Sequence, residues 1–363
     1  MSDGRMRDWR PWLALRMVAG VGPVMYRQLL RNLGDPETIL AAGTPKLVAL
    51  GVRLPLARAI AQFSDWDAVD RQLRLAGRCG AELLTWADDA YPRRLREIGD
   101  APPLLFVLGE LQPADDLAVA LVGSRAASEY GRRMARDLGD AFGRRSVTVV
   151  SGLARGIDAQ AHSAALAAGG RTIAVLGSGV DVIYPAEHRA LAQAVRGQGA
   201  VVSELLMGAK PDAENFPGRN RLISGLVRAV VVVEAAERSG SLITANIAAE
   251  QGRDVFAVPG PVGRGSAGTH RLLREGAKLT ESAADVLEEI APRLLEKTAG
   301  RSTFRPTGEE QQILAAIGRE TVHVDTVMLR SGMTAGEVLP LLLGLELKGV
   351  VAQLPGKFFV VRG

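Results

Sequence analysis

Leu117-Ala118-Val119-Ala120-Leu121-Val122-Gly123-Ser124-Arg125 is the stretch that decides the fold. Its apolar run is rich in Val and Leu, stops at Gly123, and gives way near Glu129 to a polar, amphipathic segment. A continuous apolar run of that length predicts a strand buried on both faces, hence a parallel sheet covered by helices. Gly123-Ser124 lets the chain turn sharply and present free backbone N–H groups where a helix starts, a place that attracts anions and phosphate above all. Arg125 adds a planar fork of donors there. One strand–turn–helix carries little information, but this chain repeats it.

From Ala118 to about Ala291 the rhythm is strand, helix, strand, helix. Strands are expected at 118–122, 147–150, 172–176, 200–202, 229–234 and 254–258, with alanine-rich amphipathic helices between them at 129–143, 157–168, 187–196 and 241–252. Such alternation predicts an α/β fold, a doubly wound, Rossmann-like parallel sheet. Ala81–Trp86 and Leu104–Val107 read as short strands ahead of it, around Tyr91-Pro92 and Pro102-Pro103.

The chain before these strands reads as short helices. Leu13–Val18 is followed by Gly20-Val21-Gly22-Pro23, then by a helix to Leu33 with Gly34 as its stop. Asp35-Pro36 starts a third helix ending near Gly43, and Ser64 is placed to cap another running towards Gly77. Helix, Gly-apolar-Gly, helix is the helix-hairpin-helix pattern, whose amides can hold a nucleic-acid phosphate; a tight turn between helices with no ligand produces the same pattern.

Beyond a polar stretch at Glu296–Gly308, the last residues form a separate unit. Helix Glu309–Ile317, segment Val324–Arg330 and helix Thr334–Lys348 precede a hairpin of Val350–Leu354 and Phe358–Val361 about Pro355-Gly356. Three helices and a hairpin make a winged helix. Its third helix is apolar with Lys348 as its only cation, which suits protein contact or packing better than a DNA backbone. The domains are therefore 1–80 (helical), 81–292 (sheet), 293–308 (linker) and 309–363 (winged helix).

Composition fits a soluble globular chain: 363 residues, 47% hydrophobic, 23% charged and 4% aromatic. A net charge of +4 permits nucleic-acid binding without demanding it. The cations are mostly Arg, which suits bidentate phosphate contacts, although a GC-rich genome produces the same bias. A single cysteine, Cys79, excludes internal disulfides and thiolate metal sites and fits a reducing compartment. No apolar run approaches the ~20 residues that span a bilayer, and Met1–Arg16 lacks a signal-peptide core. A cytoplasmic protein with no membrane partner is expected.

In an open parallel sheet, ligands bind beyond the carboxyl ends of the strands, near the switch in strand order. Those ends carry Gly123-Ser124-Arg125, the run Ser151-Gly152-Leu153-Ala154-Arg155-Gly156, Gly177-Ser178-Gly179, Ser203-Glu204, Glu234 to Thr244 with Ser239-Gly240-Ser241, and Pro259-Gly260. Small residues there leave room for a ligand, or simply make the turns. Asn215-Phe216-Pro217-Gly218-Arg219-Asn220-Arg221 sets two arginines beside an aromatic ring, the combination that single-stranded nucleic acid needs. Pro217 favours an extended chain at Phe216, so the ring is expected to project from a loop. Asp158 and His162 are four apart on a helix, a spacing that suits a structural hydrogen bond better than catalysis. Glu204 and Glu234 end strands and are expected to pair with Arg219 or Arg221. There is no serine-nucleophile elbow, metal spacing or P-loop lysine, and Gly177-Ser178-Gly179 lacks the third glycine of a dinucleotide fingerprint. No cofactor is expected.

These blocks, with Ile157-Asp158, Ala161-His162, Leu242 to Ala245 and Ala257-Val258-Pro259-Gly260, resemble the bacterial DNA-processing protein A family (DprA, also called Smf). The resemblance covers the central domain and extends upstream through Tyr91-Pro92 to the helices around Gly20–Gly22. It implies an extended Rossmann domain, an N-terminal sterile-alpha-motif-like module and, as in some members, a C-terminal winged helix. It implies a dimeric, non-catalytic protein that binds single-stranded DNA in the crevice and loads the recombinase RecA in natural transformation. The implied DNA-binding set is Gly123, Ser124, Arg125, Ser151, Gly152, Arg155, Lys210, Phe216, Arg219, Asn220, Arg221, Ser239 and Gly240. Relatives often carry a Lys three residues before the Phe; here Ala213 stands there, and Lys210 is the nearest base upstream. The alternative, a lysine-decarboxylase-like nucleoside-monophosphate phosphoribohydrolase, needs a double-glycine turn followed by an acid, and Ser239–Ala245 has neither.

Overall fold

The structure is a computed structural model that describes residues 8–263, 265–294, 306–318, 320–347 and 350–361. The chain divides into two compact units, Met1–Leu295 and Glu296–Gly363. Most of the expected linker, and Lys348, lie outside the described residues.

The first unit opens with α1 (Arg10–Met17), α2 (Pro23–Leu33), α3 (Pro36–Ala41), α4 (Gly43–Ala49), α5 (Leu54–Ala61) and α6 (Trp66–Cys79). Proline stands in the first turn of α2 and α3, where its missing N–H would have had no intrahelical acceptor. Asp35 caps α3 by accepting from the Thr38 amide (2.8 Å). The cap of α6 is Asp65, which accepts from the Ala68 N–H (3.1 Å), and not Ser64; at a helix start the acidic side chain also favours the dipole.

Nine strands form one sheet in the order β1-β2-β6-β5-β4-β3-β7-β8-β9. They are β1 (Glu82–Thr85), β2 (Leu104–Gly109), β3 (Ala118–Gly123), β4 (Thr148–Ser151), β5 (Thr172–Val175), β6 (Ala200–Ser203), β7 (Ala229–Glu234), β8 (Asp254–Ala257) and β9 (Lys278–Leu279). Strands β3 to β9 run parallel, while β1 and β2 complete one edge antiparallel. Strand order reverses between β3 and β7, which places the switch at the carboxyl end of the opening stretch.

The connecting helices are α7 (Arg93–Glu97), α8 (Glu129–Arg144), α9 (Ile157–Ala167), α10 (Arg189–Gln198), α11 (Asn215–Gly225), α12 (Gly240–Glu250), α13 (Ala267–Arg274) and α14 (Ala283–Ile290). Period-two alternation divides the core. Ala118, Ala120 and Val122 of β3 join Leu222, Ile223 and Leu242 of α11 and α12 on one face. Val119 and Leu121 join Leu138, Phe142 and Ala161 of α8 and α9 on the other. On that second face, the half of the sheet holding Phe106 and Val201 shares one continuous core with α1 to α6 and α10. Each fully buried Leu, Val or Phe of this kind contributes about 1.5–3 kcal/mol.

The second unit consists of α15 (Gly308–Ile317), β10 (Val322–His323), α16 (Val324–Ser331), α17 (Ala335–Leu347), β11 (Val351–Leu354) and β12 (Phe358–Val361). Thr307 and Glu310 form a reciprocal capping box at the start of α15. The strands pair β10-β12-β11, and Ile313, Val327, Val338, Leu342 and Phe359 close a small core. This is the expected winged helix.

Candidate nucleic-acid interface

The switch point is built by β3 and β7. The Ser124 amide donates to the Glu234 carbonyl (2.8 Å), and the Ile157 amide to the Ser124 carbonyl (3.2 Å). Gly156, at φ +75°, lies against the backbone carbonyls of Ser124 and Arg125, too close for any Cβ. In the β3–α8 turn the amides of Ser124, Ala126 and Ser128 are already engaged within the protein. The Glu234 carboxylate reaches across from β7, accepts from the Ser128 amide (3.0 Å) and from the Ser128 hydroxyl, and occupies the α8 terminus. The Ala126 amide donates to Ser124 Oγ (3.2 Å) and the Gly131 amide to Ser128 Oγ (3.0 Å). Glu234 therefore pairs with a helix start and not with Arg219 or Arg221. A fixed carboxylate there meets the same dipole and donors that a phosphate would.

Beside this closed terminus a cavity of about 660 Å³ opens beyond the strand ends. Gly123, Ser124, Arg125, Phe216, Arg219, Asn220, Ser239 and Gly240 line it, together with Asp158, Ala213, Arg238 and Ile243. The second helix at the switch, α12, begins here. Its cap Ser239 accepts weakly from the Ser241 amide (3.4 Å) and its hydroxyl meets that of Ser241 (2.8 Å), while nothing lies within 4 Å of a Cβ built on Gly240. Arg125 and Arg238 are exposed and form no hydrogen bond or ion pair among the described residues. Arg125 sits over the Phe216 ring, 5.1 Å from its centroid, and Arg219 lies 5.6 Å from the same centroid. Two guanidinium groups thus hold one half-buried ring, each by a cation–π contact.

Phe216 is not in a loop. It is the second residue of α11, and Pro217 the third, in the first turn where a missing N–H breaks no helical bond. The helix start also turns Arg219 inward. Its Nη1 donates to the carbonyls of Gly152 (2.7 Å) and Val175 (2.6 Å), and its Nε to Asn220 Oδ1 (3.2 Å). Burial pushes its pKa down to about 10, against the opposing charge of Asp158 and with that of Arg125. Gly152 is needed there because a Cβ would overlap the Arg219 guanidinium. Asp158 accepts from the amides of Gly152 (3.1 Å) and Ala154 (3.2 Å), and burial raises its pKa against the Arg219 charge. His162 does not bond to Asp158. Its Nδ1 meets Thr172 Oγ1 (2.6 Å), and burial pushes its pKa down to about 3, so it is neutral and structural.

The remaining expected residues divide by location. Arg221 lies outside the cavity, paired with Glu204 (2.5 Å) and Asp100 (3.3 Å), because one position along a helix from Asn220 turns the side chain away. Burial raises the Glu204 pKa, and Arg221 opposes that shift. Ser151 donates into the sheet, to the Leu121 carbonyl (2.6 Å). Gly152 and Arg155 line a smaller recess that shares Arg125 and Phe216 with the main cavity. Arg155 there is clasped by Glu187 at 2.5 and 2.9 Å. Lys210 is exposed and lines neither space; the missing Lys position, Ala213, is on the cavity wall. Sequence reasoning missed Arg238 and Tyr184. Tyr184 lines the recess 6.4 Å from Phe216, and the aromatic-Pro pair Tyr184-Pro185, repeating Phe216-Pro217, was its visible signal. Among the described residues no cluster of three His, Cys, Asp or Glu could hold a metal, and no helix is long and apolar enough to cross a membrane.

Comparison with known proteins places this architecture. Residues 82–291 match the family of DNA recombination-mediator protein A, and residues 297–357 match the DprA winged helix domain. Protein Smf of Escherichia coli (strain K12) is 46% identical over 289 residues, covering 77% of each chain. A putative DNA processing protein DprA of Mycobacterium tuberculosis is 36% identical over 374 residues, covering 97% of this chain and 94% of that one. Among solved structures, DNA processing protein A from Streptococcus pneumoniae superposes with a TM-score of 0.68 at 39% identity, over 77% of this chain and 97% of that one. The protein from Helicobacter pylori, described for its single-stranded DNA binding mode, gives 0.53 at 26% identity, over 58% and 97%. The chain belongs to the DNA recombination-mediator protein A family.

Proposed function

We propose that the crevice at the β3/β7 switch binds single-stranded DNA, and that the protein is a non-catalytic recombination mediator that delivers such DNA to the recombinase RecA as a homodimer. The observation that carries this reading is the pairing of open cations with a ring. Arg125 and Arg238 stand at the cavity without hydrogen-bond or ion-pair partners among the described residues, and Phe216 is within cation–π reach of Arg125 and Arg219. Charge to follow phosphates and a π-face for a base are what a single strand requires. Phosphate contacts are assigned to Arg125, Arg238 and the α12 start at Ser239-Gly240, base stacking to Phe216, and polar contact to Ser124 and Asn220. Arg219 and Gly152 hold the floor. Arg221, Ser151, Arg155 and Lys210 are left out of the contact set, the first three because protein groups already engage them. The division into 1–80, 81–292, 293–308 and 309–363 belongs to the same proposal.

The test is a mobility shift with single- and double-stranded oligonucleotides across a salt series. Tighter binding of the single strand, weakening as salt rises, is expected. Equal affinity for duplex, or no binding, overturns the reading. RecA filament assembly on protein-coated single strands, and sedimentation of the free protein, test the partner and the dimer. Release of ribose phosphate from AMP would instead favour the phosphoribohydrolase alternative.

A further inference from the structure

We propose that Tyr184 is a second base-stacking platform, so that the strand entering the crevice lays two consecutive bases on two rings, Phe216 and Tyr184. The inference rests on the reading of the crevice as a single-strand site. Tyr184 is 44% exposed, the most exposed aromatic side chain among the described residues. A ring left that open forgoes the burial that normally holds an aromatic in place. Its hydroxyl has no hydrogen-bond partner among the described residues, so neither end of the side chain is anchored. Its position is nevertheless specific. Its centroid is 6.4 Å from that of Phe216, with the planes inclined at 54°. Rings inclined so steeply cannot sandwich one flat base between them. Tyr184, the more exposed of the two, therefore offers its ring to a second base beside the one assigned to Phe216. Arg125 borders both the main cavity and the recess that holds Tyr184, which puts a guanidinium where the phosphate between those two bases would pass. The other cation of the recess, Arg155, is held by Glu187, so the added contact at Tyr184 is stacking and not charge.

The test is fluorescence anisotropy of the full-length protein with labelled oligo(dT), read as affinity and salt slope. Tyr184→Ala is expected to weaken binding about five- to 150-fold, the range for one base left unstacked. Salt slope and melting temperature should stay unchanged, and Tyr184→Phe should bind as the parent does. An oligonucleotide carrying 5-iodouracil at single positions should photocross-link to Tyr184 and to Phe216 from adjacent nucleotides. Parent-like affinity of a folded Tyr184→Ala variant, or cross-links that never reach Tyr184, overturns this assignment and leaves the crevice reading standing. If the parent protein itself fails to bind, the crevice reading falls, and this assignment falls with it.

Discussion

Two helices begin at the switch point, on either side of the same pair of strands, and they are used in opposite ways. The start of α8 is closed by the Glu234 carboxylate, while the start of α12 opens into the cavity beside Arg238. The arginines divide in the same way. Arg219 and Arg221 lie inside, bonded to carbonyls and carboxylates, whereas Arg125 and Arg238 carry no such partner among the described residues. Both helices follow a strand of the switch, and all four cations are arginines. What differs is whether a group from elsewhere in the chain has already supplied the opposite charge. A helix terminus or an arginine is a ligand site only after its internal partners have been counted.

The strongest way to break this comparison is to remove an interior cation. Arg219→Ala leaves two buried carbonyls without their donor and Asp158 without the opposing charge, and is expected to cost about 3–5 kcal/mol of stability, read from the urea midpoint. A pH series sharpens it. The Asp158 pKa is raised by burial, and loss of the opposing Arg219 charge raises it further. A carboxyl whose folded pKa is raised adds stability below its unfolded pKa and loses it as pH rises through the folded value. The deficit of Arg219→Ala should therefore shrink on acidification towards the ordinary carboxylate range. A deficit that grows instead would mean that Asp158 is not the group left unpaired.

Next in size is Phe216, which belongs to the open side. Phe216→Ala is expected to weaken single-strand binding by about 1–3 kcal/mol with little change in salt slope, and Phe216→Tyr to retain most of it. If the alanine variant instead lowers the melting temperature and leaves the affinity of the folded fraction alone, the ring serves only to pack against Gly177 and the two arginines.

A smaller and cleaner effect separates the two classes of arginine. Arg125→Ala and Arg238→Ala should each reduce the log–log salt slope by about 0.7, the value for one phosphate no longer neutralised on a single strand. Melting temperatures should move little, since neither side chain makes a hydrogen bond or ion pair among the described residues. Arg221→Ala should do the reverse, losing stability through the orphaned Glu204 while its folded fraction keeps the slope. The same loss of slope in all three would erase the distinction.

Much of this was legible from the residues. The run at β3 was expected at 118–122 and is observed as Ala118–Gly123, and β4 to β8 agree as closely, because a strand buried on both faces has little choice but Val, Ile, Leu and Ala. The alternating pattern implied a doubly wound sheet with its ligands beyond the strand ends, and the strand order of the structure then fixes the crevice between β3 and β7. Several features were not legible. The start of α11 was hidden by Pro217, which breaks a helix interior but suits a first turn, and only the surrounding fold decides which of these applies. The closing of α8 by Glu234 joins groups 106 residues apart, and the seating of Arg219 on Gly152 joins groups 67 apart. No local pattern encodes such pairings. Strands were expected where β1 and β2 lie but not their antiparallel pairing at the edge, and the two-residue β9 was missed because so short a segment carries no periodicity.

The smallest effect is expected from the C-terminal unit, whose third helix is the element that would enter a DNA groove in a groove-binding winged helix. Between Ala335 and Glu346 that helix has no Lys or Arg and two acids, Glu337 and Glu346. Its outward positions include Leu339, 52% exposed, and Leu343, 57% exposed. Duplex binding is dominated by neutralised phosphates, and a helix with acids and leucines on its surface neutralises none. Exposed leucines, with Lys357 the one cation among the described residues that line the recess they share, are what a protein-facing surface looks like. Deleting the chain from Thr307 onward should therefore leave single-strand affinity within about tenfold of the parent, roughly 1.4 kcal/mol. The salt slope should stay the same, because every open cation assigned to the strand lies in the first unit. A steeper loss, or a drop in slope of about 0.7 or more, would mean that this unit contributes phosphate contacts of its own. The contrast would then no longer be between two helix starts at one switch point, and the second unit would have to be counted on the open side.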